Sequence, residues 1–465
     1  MDNGSNTLSL DAFIGQSTKV GTLWVKRDDV LTLHFEYDEK WMETGFPLSP
    51  HLPFGQQITS STIKNYLENL FPEGRGFEMM LENTTISRHN IFALTEKVGH
   101  DTAGAIEFRP TGAQLTPTNY RVISDAELNS RVEQLVNFNR SIADWDGKTR
   151  LSVAGVQDKL NLLYMNGQYG VGDGSLSSNV IVKFETGKSP CIVVNEYFTT
   201  TLAKYADLQV PKVSIANFGN YRGLVVSRFD RKVVSNTEVV KRHIIDGCQM
   251  CNLPSAYKYE RNFGDGVDVQ QIRDGVSFRK LLDLDVKDKA IYQEFLLRWT
   301  IFNVLVNNYD AHGKNISFAV SKSGYSLMPF YDLVNIQALS DERHRRNENM
   351  SEYVPQIDPS LSFAMSFGDY EQGSIGIFNP PIGEYAWAML SEEFEMSLPR
   401  MKNIMLQIAE AVEYGSNYTA KAMLAREDLS EQEKEHITYC RDLVNNNCIA
   451  MKEAATKIVS MKVLF

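Results

Sequence analysis

Long apolar runs are missing from this chain of 465 residues. Even the run Ser177, Ser178, Asn179, Val180, Ile181, Val182 ends at once in Lys183, so no membrane span and no membrane partner are expected. Cysteine is scarce: five residues, an odd number, make a disulfide framework a poor reading. No basic, apolar, small-residue leader opens the sequence, so a reducing, cytoplasmic setting is expected. Positive charge is also in short supply. With 47 Lys and Arg against 58 Asp and Glu the formal charge is −11, which argues against a chain that coats nucleic acid by itself and leaves DNA association to a partner. Metal and redox motifs are thin. Cys248-Gln249-Met250-Cys251 lacks a second cysteine pair at zinc spacing and runs into Asn252-Leu253-Pro254, which suits a packed helix end. Cys440 and Cys448 read as buried helical neighbours, and the eight histidines form no HExxH cluster. There is no solenoid period and no low-complexity tract.

What is present is enough chain for two or three domains or a two-lobed enzyme. The segments 20–26 and 30–37 alternate in polarity around Arg27-Asp28-Asp29 and read as a hairpin of a small β-rich domain, with Trp24, Phe35 and Trp41 as core. Helical spacing marks 61–71, stopped by Pro72-Glu73-Gly74, and 91–98, stopped at Gly99; residues 120–138 read as a further helix. Punctuation by Pro110, Gly112 and Pro117, then Asp144, Asp146 and Gly147, places a boundary near 110–150. The expected divisions are 1–145 β-rich, 146–235 nucleotide-binding, and 236–465 mainly helical.

The most informative stretch is Asn308-Tyr309-Asp310-Ala311-His312-Gly313-Lys314-Asn315, followed by Met328-Pro329-Phe330-Tyr331-Asp332. Asp310 and Asn315 stand five apart, the separation at which a kinase catalytic loop places a base and an amide ligand for the second metal, and Asp332 arrives where a metal-binding aspartate is needed. The match to the kinase signature is partial: no His-Arg precedes Asp310 and no Phe-Gly follows Asp332. The dense apolar run 290–306 predicts a buried helix that delivers this loop rigidly. Asp310 would take the acceptor proton, Asn315 and Asp332 would hold Mg2+, and Lys314 would neutralise charge on the transferred group. His312 reads as a positioning residue in preference to a base. Segments 316–320 and 325–328 predict a hairpin that presents Asp332.

A nucleotide side precedes it. Ser152, Val153, Ala154, Gly155, Val156, Gln157 and Lys159 lie in a small-residue turn able to bring amides close to phosphate oxygens, although it matches neither a P-loop nor a dinucleotide fingerprint. Lys183 sits in the apolar strand 180–184, where an ammonium without a counter-charge would be costly and an ATP phosphate would satisfy it. Glu196, at the front of a helix, is placed to hold that lysine as in kinases. The strands at 211–216 and 224–231 flank Gly219 and Gly223 and read as a hinge whose main chain meets adenine, with Val226 and Arg228 as nucleotide contacts; Arg228, Asp230 and Arg231 read as a structural ion-pair set in preference to a directly catalytic one. Residues 341–348 read as a charged surface loop, and helices return at 404–414 and 431–444.

Taken in order, these motifs resemble the HipA-type serine/threonine kinases, the toxin components of bacterial type II toxin-antitoxin pairs. The likeness rests on residues 152–159, Val182-Lys183, Arg228-Phe229-Asp230-Arg231, 308–315 and Pro329-Phe330-Tyr331-Asp332, and on Gly21-Thr22-Leu23, 69–74 and 101–105 before them. It implies a two-lobed, α+β kinase-like fold with an extra β-rich N-terminal subdomain and an all-helical C-terminal lobe. It also implies transfer of the ATP γ-phosphate to protein Ser or Thr with Mg2+. Growth arrest or persistence would follow from inhibited translation, in related members through glutamate-tRNA ligase. A small helix-turn-helix antitoxin, HipB-like, would carry the DNA contact, and autophosphorylation of Ser152 would silence the enzyme. Ser227 departs from the family, where a glutamate often stands, so altered hinge or latch contacts are expected there. Two other readings stay open on the residues alone: a catalytically weak scaffold that binds an antitoxin, and a small-molecule or lipid kinase.

Overall fold

The computed structural model describes residues 6–82, 84–99, 101–138, 144–145, 148–149, 159–185, 190–264, 268–269, 271–348, 363–367 and 382–463. The chain forms two compact units. One comprises Met1–Phe184, Ala216–Ser255 and Ser317–Met328; the other comprises Glu185–Ile215, Ala256–Ile316 and Pro329–Phe465.

The first unit begins with an antiparallel sheet in the order Asp29–Tyr37, Thr18–Lys26, Thr7–Ile14, Ile106–Pro110. The expected hairpin is there, and strict alternation sorts its side chains: Leu23 and Val25 are buried while Trp24 between them faces outward, stacked on His34 at 3.9 Å. Only Trp41 of the three aromatics proposed as core is buried; Trp24, on the outer face with His34, and Phe35, opposite Leu23, are half-buried. Helix Ser60–Glu68 starts where the Thr59 hydroxyl accepts from the Thr62 amide, and Ile91–Val98 where Asn90 accepts from Ala93.

A six-stranded sheet follows, in the order Val213–Phe218, Tyr221–Ser227, Val180–Phe184, Lys159–Met165, Gln168–Asp173, Asn119–Val122. The last of these corrects the helix expected from residue 120. Asn119–Val122 pairs with Gln168–Asp173, and the helix starts later, at Asp125–Phe138, where Asp125 and Glu127 favour the first turn. One face of the sheet packs Leu160, Leu162, Val180, Val182 and Phe184 against Trp145, Val132 and Leu135. The Arg131 guanidinium lies 3.9 Å from the Trp145 ring centre.

Charges are also buried in this unit. Arg228 donates to both carboxylate oxygens of Asp230 at 3.0 and 2.8 Å, and Arg231 donates to Asp230 Oδ2 at 2.5 Å and to Asp101 Oδ1 at 3.2 Å. Ser178 supplies both its amide and its hydroxyl to Asp101 Oδ2. Gly104 closes the cluster: its amide donates to Asp230 and its carbonyl accepts from Arg231, at φ +77 with a Cβ position only 2.7 Å from the Ile244 carbonyl oxygen. Glycine is therefore required there. Burial alone would raise Asp230 and Asp101, but the two guanidinium groups outweigh it and hold both carboxyls below the usual range.

His243 is a further buried titratable group of this unit, its Nε2 at 3.0 Å from the Leu48 carbonyl oxygen. Burial pulls it down from 6.5 to about 4. Because the unfolded chain takes up this proton first, stability contributed by neutral His243 is full above pH 6.5 and lost as pH falls towards 4. The span corresponds to about 3 kcal/mol. A His243→Gln variant is expected to show a flatter stability curve over that window in denaturant melts, whatever its absolute stability.

In the second unit, helices Ile192–Ala203, Lys289–Leu305, Leu398–Leu424 and Glu431–Lys457 carry most of the packing, and Ser430 and Glu433 form a capping box on the last. Both C-terminal helices run well past the spans expected from periodicity. The charged loop expected at 341–348 is instead the end of helix Ile336–Glu348, in which Asn335 Oδ1 accepts from the Ala338 amide and Gln337 donates to Asp341 one turn on. Ala364, Met365 and Phe367 are buried. All five cysteines carry free thiols. Cys248 is buried in the short helix Gly247–Met250, which ends as expected before Asn252, at φ 55. Among the described residues no helix is long and apolar enough to cross a membrane.

Candidate active site

Helix Lys289–Leu305 is buried around Trp299, Ile301 and Phe302, and Trp299 stacks on Phe330 at 5.4 Å. The turn out of the helix is closed by an asparagine pair. The Asn308 amide donates to the Asn303 carbonyl at 2.9 Å and the Asn308 side chain to Asn303 Oδ1 at 2.9 Å. Asn307, at φ 51, receives the Asn447 side chain on Oδ1 and the Ile336 amide on its carbonyl. The loop therefore leaves a fixed helix end through two polar clamps, which turns packing into placement of Asp310.

Inside the loop, the Asp310 carbonyl accepts from the His312 amide at 2.9 Å and from the Asn315 side chain at 2.8 Å. That second bond commits the Asn315 nitrogen and leaves its Oδ1 as the atom able to meet a cation. Gly313–Asn315 forms a 3-10 turn, steadied where Gly313 donates to the Lys258 carbonyl at 2.9 Å and Tyr331 Oη to the Lys314 carbonyl at 2.5 Å. Lys314 and His312 are both buried. Burial first, then the Lys258 charge, keeps His312 well below 6.5, with Asp332 opposing. A neutral imidazole beside the Asp332 carboxylate fits a positioning role.

Asp332 sits at φ 60, in the left-handed region. Its loop is held by a residue that sequence reasoning passed over. Asn195, fully buried on helix Ile192–Ala203, accepts from the Asn335 amide at 2.8 Å, donates to the Asn335 carbonyl at 3.0 Å, and lies 3.0 Å from His436 Nε2. Its neighbour Glu196 is also buried. No cluster of three or more metal-ligating His, Cys, Asp or Glu occurs among the described residues. One carboxylate, Asp332, with one amide oxygen, Asn315, still fits Mg2+, which binds through few protein ligands and completes its shell with nucleotide phosphates and water.

Tyr259 is a second residue that the sequence did not disclose. Its hydroxyl donates to Asp310 Oδ1 at 2.5 Å and its ring meets His312 edge-on at 5.2 Å. A Cβ on Gly275 would fall 1.7 Å from the Tyr259 carbonyl oxygen. Gly275→Ala is accordingly expected to push residues 257–260 off the loop, costing about 1–3 kcal/mol in thermal melts.

In the first unit the sheet register collects the nucleotide candidates. Lys183 lies opposite Lys159 on one side and Leu224 on the other, and Ile181 lies opposite Val226. Directly opposed residues share a face, so Lys159, Lys183 and Val226 stand together on the face turned away from the Trp145 core. Both lysines are buried. Residues 152–157, from Ser152 and Val153 through Ala154, Gly155, Val156 and Gln157, lie outside the described residues. Lys183 and Glu196 belong to different units. Of the two readings of Arg228, the geometry supports the ion-pair set: its Nε, NH1 and NH2 donate to Asp230, Ser178 and the Thr102 carbonyl.

A carboxylate and an amide on one clamped turn, with the Asp332 carboxylate on the loop after it, are the arrangement that a phosphotransferase of the kinase-like class requires. Comparison with known proteins gives the family. Residues 151–415 match the HipA-like C-terminal domain and residues 10–109 the HipA N-terminal domain. The chain is 40% identical over 373 residues to the serine/threonine-protein kinase toxin HipA of Shewanella oneidensis, covering 79% of this chain and 84% of that protein. It is 29% identical over 317 residues to a putative kinase, Y4mE, of Sinorhizobium fredii, covering 66% and 73%. Among solved structures, the Shewanella oneidensis MR-1 toxin-antitoxin complex of HipA, HipB and operator DNA superposes with a TM-score of 0.81 at 34% identity, over 97% of this chain and 99% of that one. The chain belongs to the HipA family, and the two-lobed kinase-like fold and ATP-dependent serine/threonine kinase activity go with that membership.

Proposed function

We propose that this protein is a toxin kinase that transfers the ATP γ-phosphate to a serine or threonine hydroxyl of a protein of the translation apparatus, with glutamate-tRNA ligase as the first candidate, and so arrests growth. The observation that carries it is the bond from the Asn315 side chain to the Asp310 carbonyl, which holds base and amide ligand in one rigid turn. Asp310 accepts the acceptor proton, Lys314 offsets charge on the transferred group, and Lys183 with Lys159 receives nucleotide phosphates beside Val226. Asn315 and Asp332 would hold Mg2+, which would supply charge neutralisation for the phosphates. A HipB-like antitoxin carries the DNA contact, as the solved relative's complex of toxin, antitoxin and operator suggests. Ser152 is the self-modification site; a phosphate there, with a charge of about −1.5 to −2, competes with ATP for the loop. The organisation we propose follows the divisions 1–145, 146–235 and 236–465.

The test is incubation of the purified chain and a cell lysate with γ-labelled ATP, with and without Mg2+. Magnesium-dependent label on serine or threonine is expected, with Ser152 in the peptide map. Label confined to lipid or small molecules sinks the protein-kinase reading, and tight antitoxin binding without any turnover favours the scaffold.

A further inference from the structure

The catalytic carboxylate already carries a hydroxyl. Tyr259 Oη donates to Asp310 Oδ1 at 2.5 Å, where general-base transfer brings the acceptor O–H. The residue is 36% exposed, with its ring edge-on to His312, so burial is only part of what holds it. Backbone bonds on both sides do place it. The Lys258 carbonyl accepts from Gly313, the Glu260 amide donates to the Ala364 carbonyl, the Glu260 carbonyl accepts from Gly275, and the Tyr257 carbonyl accepts from Val276. The Ala364 amide in turn donates to the Tyr309 carbonyl, so residues 257–260 are tied to the catalytic loop directly and through residue 364. Orienting Asp310 is not the need they meet, because His312 and Asn315 already fix its backbone.

We propose that Tyr259 determines acceptor specificity: its phenol stands in for the substrate hydroxyl, keeps water off Asp310, and yields to a serine or threonine presented by a folded protein. The inference rests on the kinase reading above. In either reaction the acceptor oxygen bonds to the γ-phosphorus as the bond to the β,γ-bridging oxygen breaks. ADP leaves with that electron pair, and the acceptor proton passes to Asp310 and then to solvent. Only the acceptor differs, water or a side-chain hydroxyl, and Tyr259 selects between them.

The experiment measures hydrolysis of Mg-ATP by the full chain with no added protein acceptor, for wild type, Tyr259→Phe and Tyr259→Ser, each with and without Asp310→Asn. Both tyrosine variants are expected to hydrolyse ATP roughly tenfold faster than wild type, the scale of one hydrogen bond. The gain should vanish with Asp310→Asn, and KM for ATP should stay unchanged. Thermal melts of both variants separate this from misfolding, since a damaged fold lowers hydrolysis rather than raising it. Unchanged or slower hydrolysis, a gain that survives Asp310→Asn, or label found on Tyr259 itself overturns the proposal while leaving an active wild-type kinase intact. Absence of ATP turnover in every form overturns the kinase reading, and this inference with it.

Discussion

Asp310→Asn is expected to lower protein phosphorylation by about two to four orders of magnitude, the range of a removed general base. The substitution is nearly isosteric. What Asp310 contributes to the loop's shape comes from its carbonyl, which accepts from His312 and Asn315, and that group is untouched. The Asn side chain retains an oxygen for Tyr259 but cannot take a proton. ATP affinity should therefore change little while kcat falls, a split readable by titrating the variant with nucleotide and measuring labelled transfer in parallel. Equal labelling by both proteins would move the catalytic role away from Asp310.

The largest expected loss of stability belongs to Asp230. Arg228 and Arg231 have 3% and 0% of their side chains exposed, and Asp230 bonds to both. Asp230→Ala leaves two buried guanidinium groups facing one remaining carboxylate, Asp101, which is 14% exposed and 3.9 Å from Arg228. Breaking a buried pair from one side costs about 3–5 kcal/mol, because the orphaned charge can neither reach water nor lose its proton. Denaturant unfolding should show that loss. Asp101→Asn should cost less, since its carboxylate is already in partial contact with solvent. Both carboxyls are held low, so their contribution persists above their ordinary range and fades as pH drops through it. That window lies below the one in which His243 acts.

The buried helix Lys289–Leu305 was legible in the sequence by its apolar density, and the turn after it because Asp310 and Asn315, five residues apart, meet within one local loop. The strand of Lys183 was legible for the same reason. Its pairing with Lys159 was not, since register depends on how the connection folds. Tyr259 lies 51 residues before Asp310 in a stretch with no periodicity, so only tertiary hydrogen bonds reveal it. Asn195 was hidden beside Glu196, which drew attention as a charge although Asn195 ties down the loop after Asp332. The misread segments share one cause. Asn119–Val122 takes strand form by pairing with a strand some fifty residues later, and residues 341–348 continue a helix begun at Ile336; neither decision is made within the segment itself.

The Asp101, Arg228, Asp230 and Arg231 cluster has a consequence for synthesis. Its partners lie 126 to 130 residues apart in the chain. At roughly 5–20 residues per second, the segment around Gly104 waits about 6 to 26 s for its arginines to leave the ribosome. Until then Asp101 and the Thr102 carbonyl lack the guanidinium groups that bond to them in the finished protein. The N-terminal sheet is thus made first and locked late, and a cell that halts translation early releases chains in which that lock has never closed.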